Sequence, residues 1–346
     1  GALRALRAVL RRPAFQSALA DGTTIGRLAA YWWKLSALQT VIYQILRRVP
    51  HRLATLAVRP PFVLKWYENQ PLDKAAAIGF REASPATAMI AGRHYFPCAG
   101  MVNFFSTTAE VDAGVAPAAN WACGPRTSEL FAAHDRRGNY ASTPALRYGH
   151  LYETASDVAG GDDLVVFLTL AREESLAILD CVFGAAAAWD ERFAQIVIKP
   201  HQGLAWSADS GVNARWAAAR DPRVVWKHGS SGTLLGSAQL VVTAGSSVAL
   251  EAVCRGVPVI IVGRPSGILL NPLSDIDERM WRVVYDAVDF QHALADWLPR
   301  LPPATERHAL GLRVRQRYFE PVSPASMRAF DPAATRQAGV TTGSPP

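Results

Sequence analysis

Short, almost uninterrupted runs of Val, Ile and Leu recur in the second half of the chain, separated by helical patterns. The runs lie at 164–168, 195–198, 224–226, 240–243 and 259–262. Strands covered by helices on both faces need such runs, and strands that alternate with helices pair in parallel. The pattern therefore predicts an α/β domain with a parallel sheet. Helices are predicted between the strands, at 173–189, 233–237 and 248–255.

The first half shows the same alternation in weaker form. Strands are predicted at 62–67, 87–91 and 116–119, and helices at 72–81 and 126–133. The chain has 346 residues, of which 50% are hydrophobic, which is enough apolar material for two cores. We therefore predict two Rossmann-like domains that face each other across a cleft, at 61–150 and 161–320. The chain begins with Gly1, which leaves open that an N-terminal piece of the first domain is missing.

The first sixty residues form a basic segment. They carry ten Arg or Lys against one acidic residue, Asp21, whereas the whole chain has a net charge of +7. An amphipathic helix is predicted at 3–12, and an apolar helix at 28–46 is interrupted too often by polar residues to span a membrane. A basic end on a near-neutral body favours contact with an anionic membrane surface, and it does not favour a nucleic-acid partner.

Three further features bear on organisation and location. A polar, glycine-bearing stretch at 153–161 is typical of an interdomain linker, and residues 331–346 are typical of a disordered tail. The four cysteines have no CxxC spacing, and no secretory signal pattern is present in the printed residues. We therefore expect a reducing, cytoplasmic location, with peripheral contact to the inner membrane through the basic segment.

A glycine-serine turn carries the strongest functional signal. Gly245, Ser246 and Ser247 lie between a predicted strand and a predicted helix. We interpret the glycine as permitting a sharp turn and the serines as helix caps, beside free N–H groups that attract an anion such as phosphate. In an open parallel sheet, ligands gather at the carboxyl ends of strands, where this turn lies. Plain N-capping is the alternative interpretation, because Ser is common before helices.

Two other loops follow predicted strands. Lys199 and His201 follow the strand at 195–198, and an imidazole there can donate to a phosphate or protonate a leaving group. His228 and Gly229 follow the strand at 224–226 and can form the floor for a base or ribose. An ordinary surface loop is the alternative at both places.

The His201 turn and the serine turn together resemble a motif pair of GT-B glycosyltransferases. The pair occurs in bacterial sialyltransferases, in Kdo transferases of capsule and lipopolysaccharide assembly, and in glycerol-phosphate transferases of wall polymers. The matching residues are Lys199, Pro200, His201, Ser246, Ser247 and Glu251, although Gln202 replaces the usual Pro. The resemblance covers about 60–320 and implies that His201 and the serines hold nucleotide phosphates, often those of a CMP-sugar. More narrowly, the sequence at 66–70 and 271–273, with Trp281 and Tyr285, resembles surface-carbohydrate biosynthesis proteins.

Two carboxylates are candidates for specific roles. Glu251 lies one turn into the helix after the serines, where it can accept both ribose hydroxyls or be an ordinary helix-surface residue. An acceptor hydroxyl needs a base, and Glu68 follows the first predicted strand. Its rivals are Asp73, Asp112 and Asp135, and its alternative role is to cap the following helix.

These features predict a metal-independent glycosyltransferase. Its substrate is a nucleotide sugar, its acceptor is a glycan or lipid-linked hydroxyl, and it needs no separate cofactor. The Asp275-Ile276-Asp277 spacing can hold a divalent metal, but its loop position favours the acidic start of a helix. A nucleotide-sugar 2-epimerase and a non-catalytic subunit of a glycan-assembly complex are the alternatives.

Overall fold

The computed structural model describes most of the chain. The described residues are 24–96, 98, 100–117, 119–135, 137–153, 161–189, 192–203, 210–219 and 221–330. The helix predicted at 3–12, the tail predicted at 331–346 and most of the predicted linker lie outside them.

The first half forms a four-stranded parallel sheet. Its strands are β1 Phe62–Trp66, β2 Ala88–Arg93, β3 Ala119–Ala122 and β4 Asn139–Ser142, in the spatial order β1-β2-β3-β4. Its helices are α1 Thr24–Thr55, α2 Pro71–Ala83, α3 Thr108–Asp112 and α4 Pro125–His134. Because the strands succeed one another in one direction, this sheet has no point at which the strand order reverses.

The second half forms a six-stranded parallel sheet. Its strands are β5 Asp163–Phe167, β6 Ile196–Lys199, β7 Val224–Trp226, β8 Ala238–Thr243, β9 Val259–Val262 and β10 Trp281–Val284. They lie in the order β10-β9-β8-β5-β6-β7. The helices are α5 His150–Glu153, α6 Arg172–Gly184, α7 Ser210–Ala219, α8 Ser231–Gly236, α9 Val248–Cys254, α10 Ala287–His292 and α11 Ala304–Tyr318. The order reverses between β5 and β8, which is where Rossmann sheets bind their ligands.

The second sheet is buried on both faces, as its apolar runs predict. Val165 and Val197 pack in one core, and the alternate residues Leu164 and Ile198 pack in another on the opposite face. The first of these cores also contains Phe96 of the first domain.

The chain after α11 returns to the first domain. The N–H of Glu320 donates to the carbonyl of Cys123 at 2.8 Å, and its carbonyl accepts from the N–H of Ala145 at 2.9 Å. The C-terminal segment therefore ties the first domain to the second through main-chain hydrogen bonds.

Several predicted bounds are wrong for identifiable reasons. The third strand lies at Ala119–Ala122 and not at 116–119. It contains the polar Asn120, which interrupts an apolar pattern but is buried and accepts a hydrogen bond from the buried Arg93 at 2.6 Å. The first long helix runs to Thr55 through Pro50 and does not end at 46. It packs closely on α2 at Gly79, where a Cβ would collide with the carbonyl of Arg47. No helix in the described part of the chain is long and apolar enough to cross a membrane.

Candidate functional site

The carboxyl ends of β8, β5 and β6 bring the two main sequence motifs to one edge of the second sheet. Gly245, Ser246 and Ser247 follow β8, while Lys199 ends β6 and His201 lies just beyond it. Because only β5 lies between β6 and β8, the two turns are separated by two strand spacings, or about 10 Å. Both turns thus lie beside the reversal of strand order.

Capping accounts for only part of the serine turn. The Oγ of Ser246 accepts a long hydrogen bond, 3.4 Å, from the N–H of Val248. Ser247 lies at the N-cap position of α9, but its backbone is helical and its side chain makes no capping hydrogen bond. The prediction that both serines cap the helix is therefore wrong for Ser247. Its neighbour is the buried hydroxyl of Tyr148, a residue whose pKa is raised by burial.

Gly245 is required for a reason that differs from the predicted one. Its φ is not in the left-handed region, so the turn itself does not demand glycine. A Cβ at this position would lie 2.6 Å from the Cβ and 2.8 Å from the carbonyl oxygen of Leu270. Leu270 in turn approaches Gly100 of the first domain, since a Cβ there would lie 3.1 Å from its Cδ2. The loop after β9 therefore covers the serine turn and reaches the first domain.

His201 lies near two other basic side chains, Lys199 and Arg147. Burial lowers the pKa of His201, and the positive charges of Lys199 and Arg147 lower it further. The Nδ1 of His201 accepts a hydrogen bond from the N–H of Gly203 at 3.0 Å, which orients the ring. Lys199 also lies over the ring of Phe167, with its Nζ 5.9 Å from the centroid. The site thus has a positive potential that an anion would relieve.

Arg147 belongs to the first domain and extends the site across to Glu68. Its guanidinium carbon lies 5.8 Å from the ring centroid of Trp66. The indole Nε1 of Trp66 donates to Oε1 of Glu68 at 2.8 Å. Arg147, whose positive charge acts on His201, therefore lies over the ring of Trp66, and Trp66 in turn donates to the carboxylate that the sequence predicts as the base.

Gln70 lies at the N-cap position of α2, and Asp73, not Glu68, supplies the carboxylate of its capping box. The Oδ2 of Asp73 accepts from the N–H of Glu68 and of Gln70, both at 3.0 Å, and its other oxygen pairs with Lys65. The prediction that Glu68 caps the helix, given as its alternative role, is therefore wrong. Both carboxylate oxygens of Asp73, a rival candidate for the base, already have partners in the cap and in Lys65.

The other two rival carboxylates are engaged as well. Asp112 forms an exposed ion pair with Arg137. The buried Asp135 accepts from the N–H of Arg137 at 3.0 Å and from the hydroxyl of Tyr140 at 3.4 Å.

Glu251 is buried and not on the helix surface. Its side chain is 8% exposed, and its Oε2 lies 3.0 Å from Nε2 of His150 at the start of α5. The interpretation of Glu251 as an ordinary surface residue is therefore wrong. A carboxylate held in this way has one oxygen that His150 does not contact in the described structure.

His228 and Gly229 lie in an exposed loop after β7, the edge strand next to β6. The φ of Gly229 is +148°, which L-residues rarely adopt, and a Cβ there would touch nothing within 4 Å. The backbone conformation therefore demands glycine, and the space in front of the loop is open.

The acidic residues after 270 have structural partners. Asp275 accepts from Nε of Arg126 at 2.6 Å and also from the hydroxyl of Tyr318. Asp277 caps the short turn that follows it, accepting from the N–H of Arg279 at 3.0 Å. The predicted helix-start role of this acidic pair is thus confirmed for Asp277. Among the described residues, no group of three or more His, Cys, Asp or Glu side chains is arranged to hold a metal ion.

A cavity of about 620 Å³ between β10 and α10 shares no lining residue with this site. Its walls include Arg282, Asp289 and Trp297. We place the candidate site at the switch point, because that edge unites the polar turns of several strands.

Sequence reasoning missed Arg147, His150 and Tyr148. All three follow β4, and that strand was not predicted because its four residues, Asn139–Ser142, lack an apolar run. If β4 had been predicted, these side chains would have been placed just beyond the carboxyl end of a strand, in the same way that the prediction of β6 placed His201.

Solved structures show which fold these sheets form. The chain is similar to the structure of S. aureus MnaA with UDP, with a TM-score of 0.59 and 12% identity, over 88% of this chain and 83% of the other. It is similar to a trehalose-phosphate synthase (UDP-forming) from Burkholderia vietnamiensis, with a TM-score of 0.54 and 15% identity, over 89% and 77% of the two chains.

A third similar structure is a putative UDP-N-acetylglucosamine 2-epimerase from Listeria monocytogenes, with a TM-score of 0.52 and 14% identity, over 88% and 81% of the two chains. No protein-family model matches the chain, and no curated protein matches it. The predicted fold is confirmed: the chain has the GT-B fold, with two Rossmann-like parallel sheets.

Proposed function

We propose that the protein is a metal-independent glycosyltransferase. It moves a sugar from a nucleotide donor to a hydroxyl group of a bacterial surface polysaccharide or glycolipid. The observation that carries this proposal is the positive site formed by Lys199, His201 and Arg147 beside the serine turn. Neither Lys199 nor Arg147 has an acidic partner among the described residues, so a bound anion would supply the missing charge.

The donor phosphates would bind between the two turns. Ser246, Ser247 and the N–H groups around Gly245 would donate from the β8 side, and Lys199 with His201 would do so from the β6 side. Charge-assisted hydrogen bonds of this kind are about twice as strong as neutral ones. Glu251, held by His150, would accept from the ribose hydroxyls, and the His228–Gly229 loop would border the base or ribose.

The chemistry would depend on charge and on one proton transfer. As the bond to the leaving phosphate breaks, negative charge builds on its oxygens, and preorganised cations stabilise it without further reorganisation. Arg147 would add a charge from the first domain, so catalysis would require both domains. Glu68 would take the acceptor proton, oriented by its hydrogen bond from Trp66.

Two classes of nucleotide donor are candidates. The resemblance favours a CMP-activated Kdo or sialic-type sugar, whereas similar structures are named for UDP. A thermal-shift screen of CMP, CDP, UDP and GDP with their sugars separates these, because a ligand at 100 times its Kd adds about 2.7 kcal/mol to stability. Product analysis with the stabilising donor and a lipid-linked or oligosaccharide acceptor then tests transfer itself. The absence of any stabilising nucleotide would refute the proposal.

A nucleotide-sugar 2-epimerase is the second candidate. One of the similar structures is named as a putative 2-epimerase of UDP-N-acetylglucosamine. Turnover of a UDP-sugar in the absence of any acceptor would favour this candidate over the transferase. Failure to bind nucleotides with retained binding to a glycosyltransferase would instead favour a non-catalytic assembly subunit.

A further inference from the structure

The outward side of α1 carries an apolar stripe that nothing in the described structure covers. Ile42, Ile45 and Val49 are 50%, 57% and 45% exposed, and their spacing places them on one side of the helix. Leu56, just past the end of α1, continues the same line and is 56% exposed. The outward side of a helix in a globular protein is normally polar, so these four residues, here named the α1 stripe, need an explanation.

Unpaired positive charge borders the α1 stripe. Arg48 and Arg52 are exposed and have no acidic partner among the described residues, whereas Arg47 and His51 share Glu82. Residues 39–59 contain no Asp or Glu. A shallow cavity of about 660 Å³ opens at this place. Its lining residues are Gln44, Arg47, Arg48, His51, Arg52, Thr55 and Glu82.

We propose that the α1 stripe docks on an anionic membrane surface. The apolar side chains would enter the boundary between headgroups and acyl chains, and Arg48 and Arg52 would bind lipid phosphates. A helix with apolar residues flanked by arginines is the pattern that lies in the membrane interface. Arginine stems also lie along apolar surface while their charged heads remain at the polar layer.

Charge decides between a lipid surface and a second copy of the chain. A symmetric dimer through the α1 stripe would bring Arg48 and Arg52 of both copies against each other, and like charges at an interface cost several kcal/mol. An anionic bilayer supplies opposite charge and an apolar layer together. The docking surface is separate from the switch-point site, so the inference stands whether or not the proposed transferase activity is correct.

Flotation with two kinds of vesicle tests the proposal on the full chain. One vesicle is phosphatidylcholine alone, and the other is equal parts of phosphatidylcholine and phosphatidylglycerol. We expect binding to the mixed vesicle that weakens in 1 M salt, where the screening length falls to about 3 Å. Arg48→Gln with Arg52→Gln should weaken this binding roughly 30-fold, since each basic residue at such a surface contributes about 1 kcal/mol. Ile42→Ser with Ile45→Ser should weaken binding to the mixed vesicle as well.

A matched control separates the α1 stripe from general charge. Arg313 and Arg328 are exposed elsewhere, and changing both to Gln removes the same charge. This control should bind the mixed vesicles about as well as the unmodified chain, and all variants should keep the same nucleotide affinity.

Four outcomes would overturn the proposal. The first two are equal binding of the unmodified chain to both vesicles and no binding to either. The third is an effect of the Arg313 and Arg328 control as large as that of the Arg48 and Arg52 pair. The fourth is unchanged binding of the variant with Ile42→Ser and Ile45→Ser. If light scattering shows a dimer, and Ile42→Ser with Ile45→Ser abolishes it, the α1 stripe is a surface for self-association instead.

Discussion

The contact between Gly245 and Leu270 makes the serine turn sensitive to a single methyl group. In Gly245→Ala, the new Cβ would lie 2.6 Å from the Cβ and 2.8 Å from the carbonyl oxygen of Leu270. Both separations are roughly 1 Å shorter than a comfortable carbon contact of about 3.5–4.0 Å. A backbone oxygen cannot rotate away, so the turn and the covering loop must move apart. Overpacking of this kind costs about 1–3 kcal/mol.

Gly236→Ala is the matched control, because a Cβ there meets nothing within 4 Å. Thermal unfolding should show that Gly245→Ala lowers the free energy of unfolding by about 1–3 kcal/mol, while Gly236→Ala leaves it unchanged or raises it by up to about 1 kcal/mol. Titration calorimetry should show weaker nucleotide binding only for Gly245→Ala, because Ser246 and Ser247 move with the turn. Equal stability and equal affinity in the two variants would refute the steric argument.

Four further predictions concern individual side chains. Ser246→Ala with Ser247→Ala should weaken nucleotide binding at least about tenfold by calorimetry through the loss of charge-assisted hydrogen bonds, and unchanged affinity in the folded variant would remove the serines from the site. Glu68→Gln should slow sugar transfer about 10²–10⁴-fold at unchanged nucleotide affinity, and near-normal transfer would assign the base elsewhere. Burial and two neighbouring positive charges lower the pKa of His201, so bound phosphate should raise it; affinity should increase as pH falls below neutral, a slope that His201→Gln should abolish. Burial also lowers the pKa of His94, so as the pH decreases the unfolded chain binds a proton before the folded chain does. At pH values below about 6.5 the free energy of unfolding should therefore decrease, and an equal decrease in His94→Gln would contradict this.

The apolar runs were enough to predict most of the second sheet. Strands β5, β6, β8 and β9 were placed to within two residues, because a strand covered on both faces must be almost continuously apolar. The same criterion, an almost continuous apolar run, failed to find β4 of the first sheet and β10 of the second. β4 is Asn-Tyr-Ala-Ser and β10 is Trp-Arg-Val-Val, and neither has the unbroken apolar run that the pattern requires.

The sequence by itself therefore determined the α/β class, the parallel pairing and the position of the two turns at strand ends. These follow from periodicity and turn chemistry, which are local properties of the chain. The order of the strands is not local, since it depends on which helices pack together. That order put β5 between β8 and β6 and so set the spacing of the two turns.

Only the tertiary structure brought Arg147 to His201, His150 to Glu251 and Leu270 to Gly245. The first two partnerships join residues 54 and 101 positions apart in the sequence. No periodic pattern encodes a contact between such distant residues. They meet because the two sheets share one packed core and a C-terminal segment that returns to the first domain, and that packing decides which side chains face each other across the site.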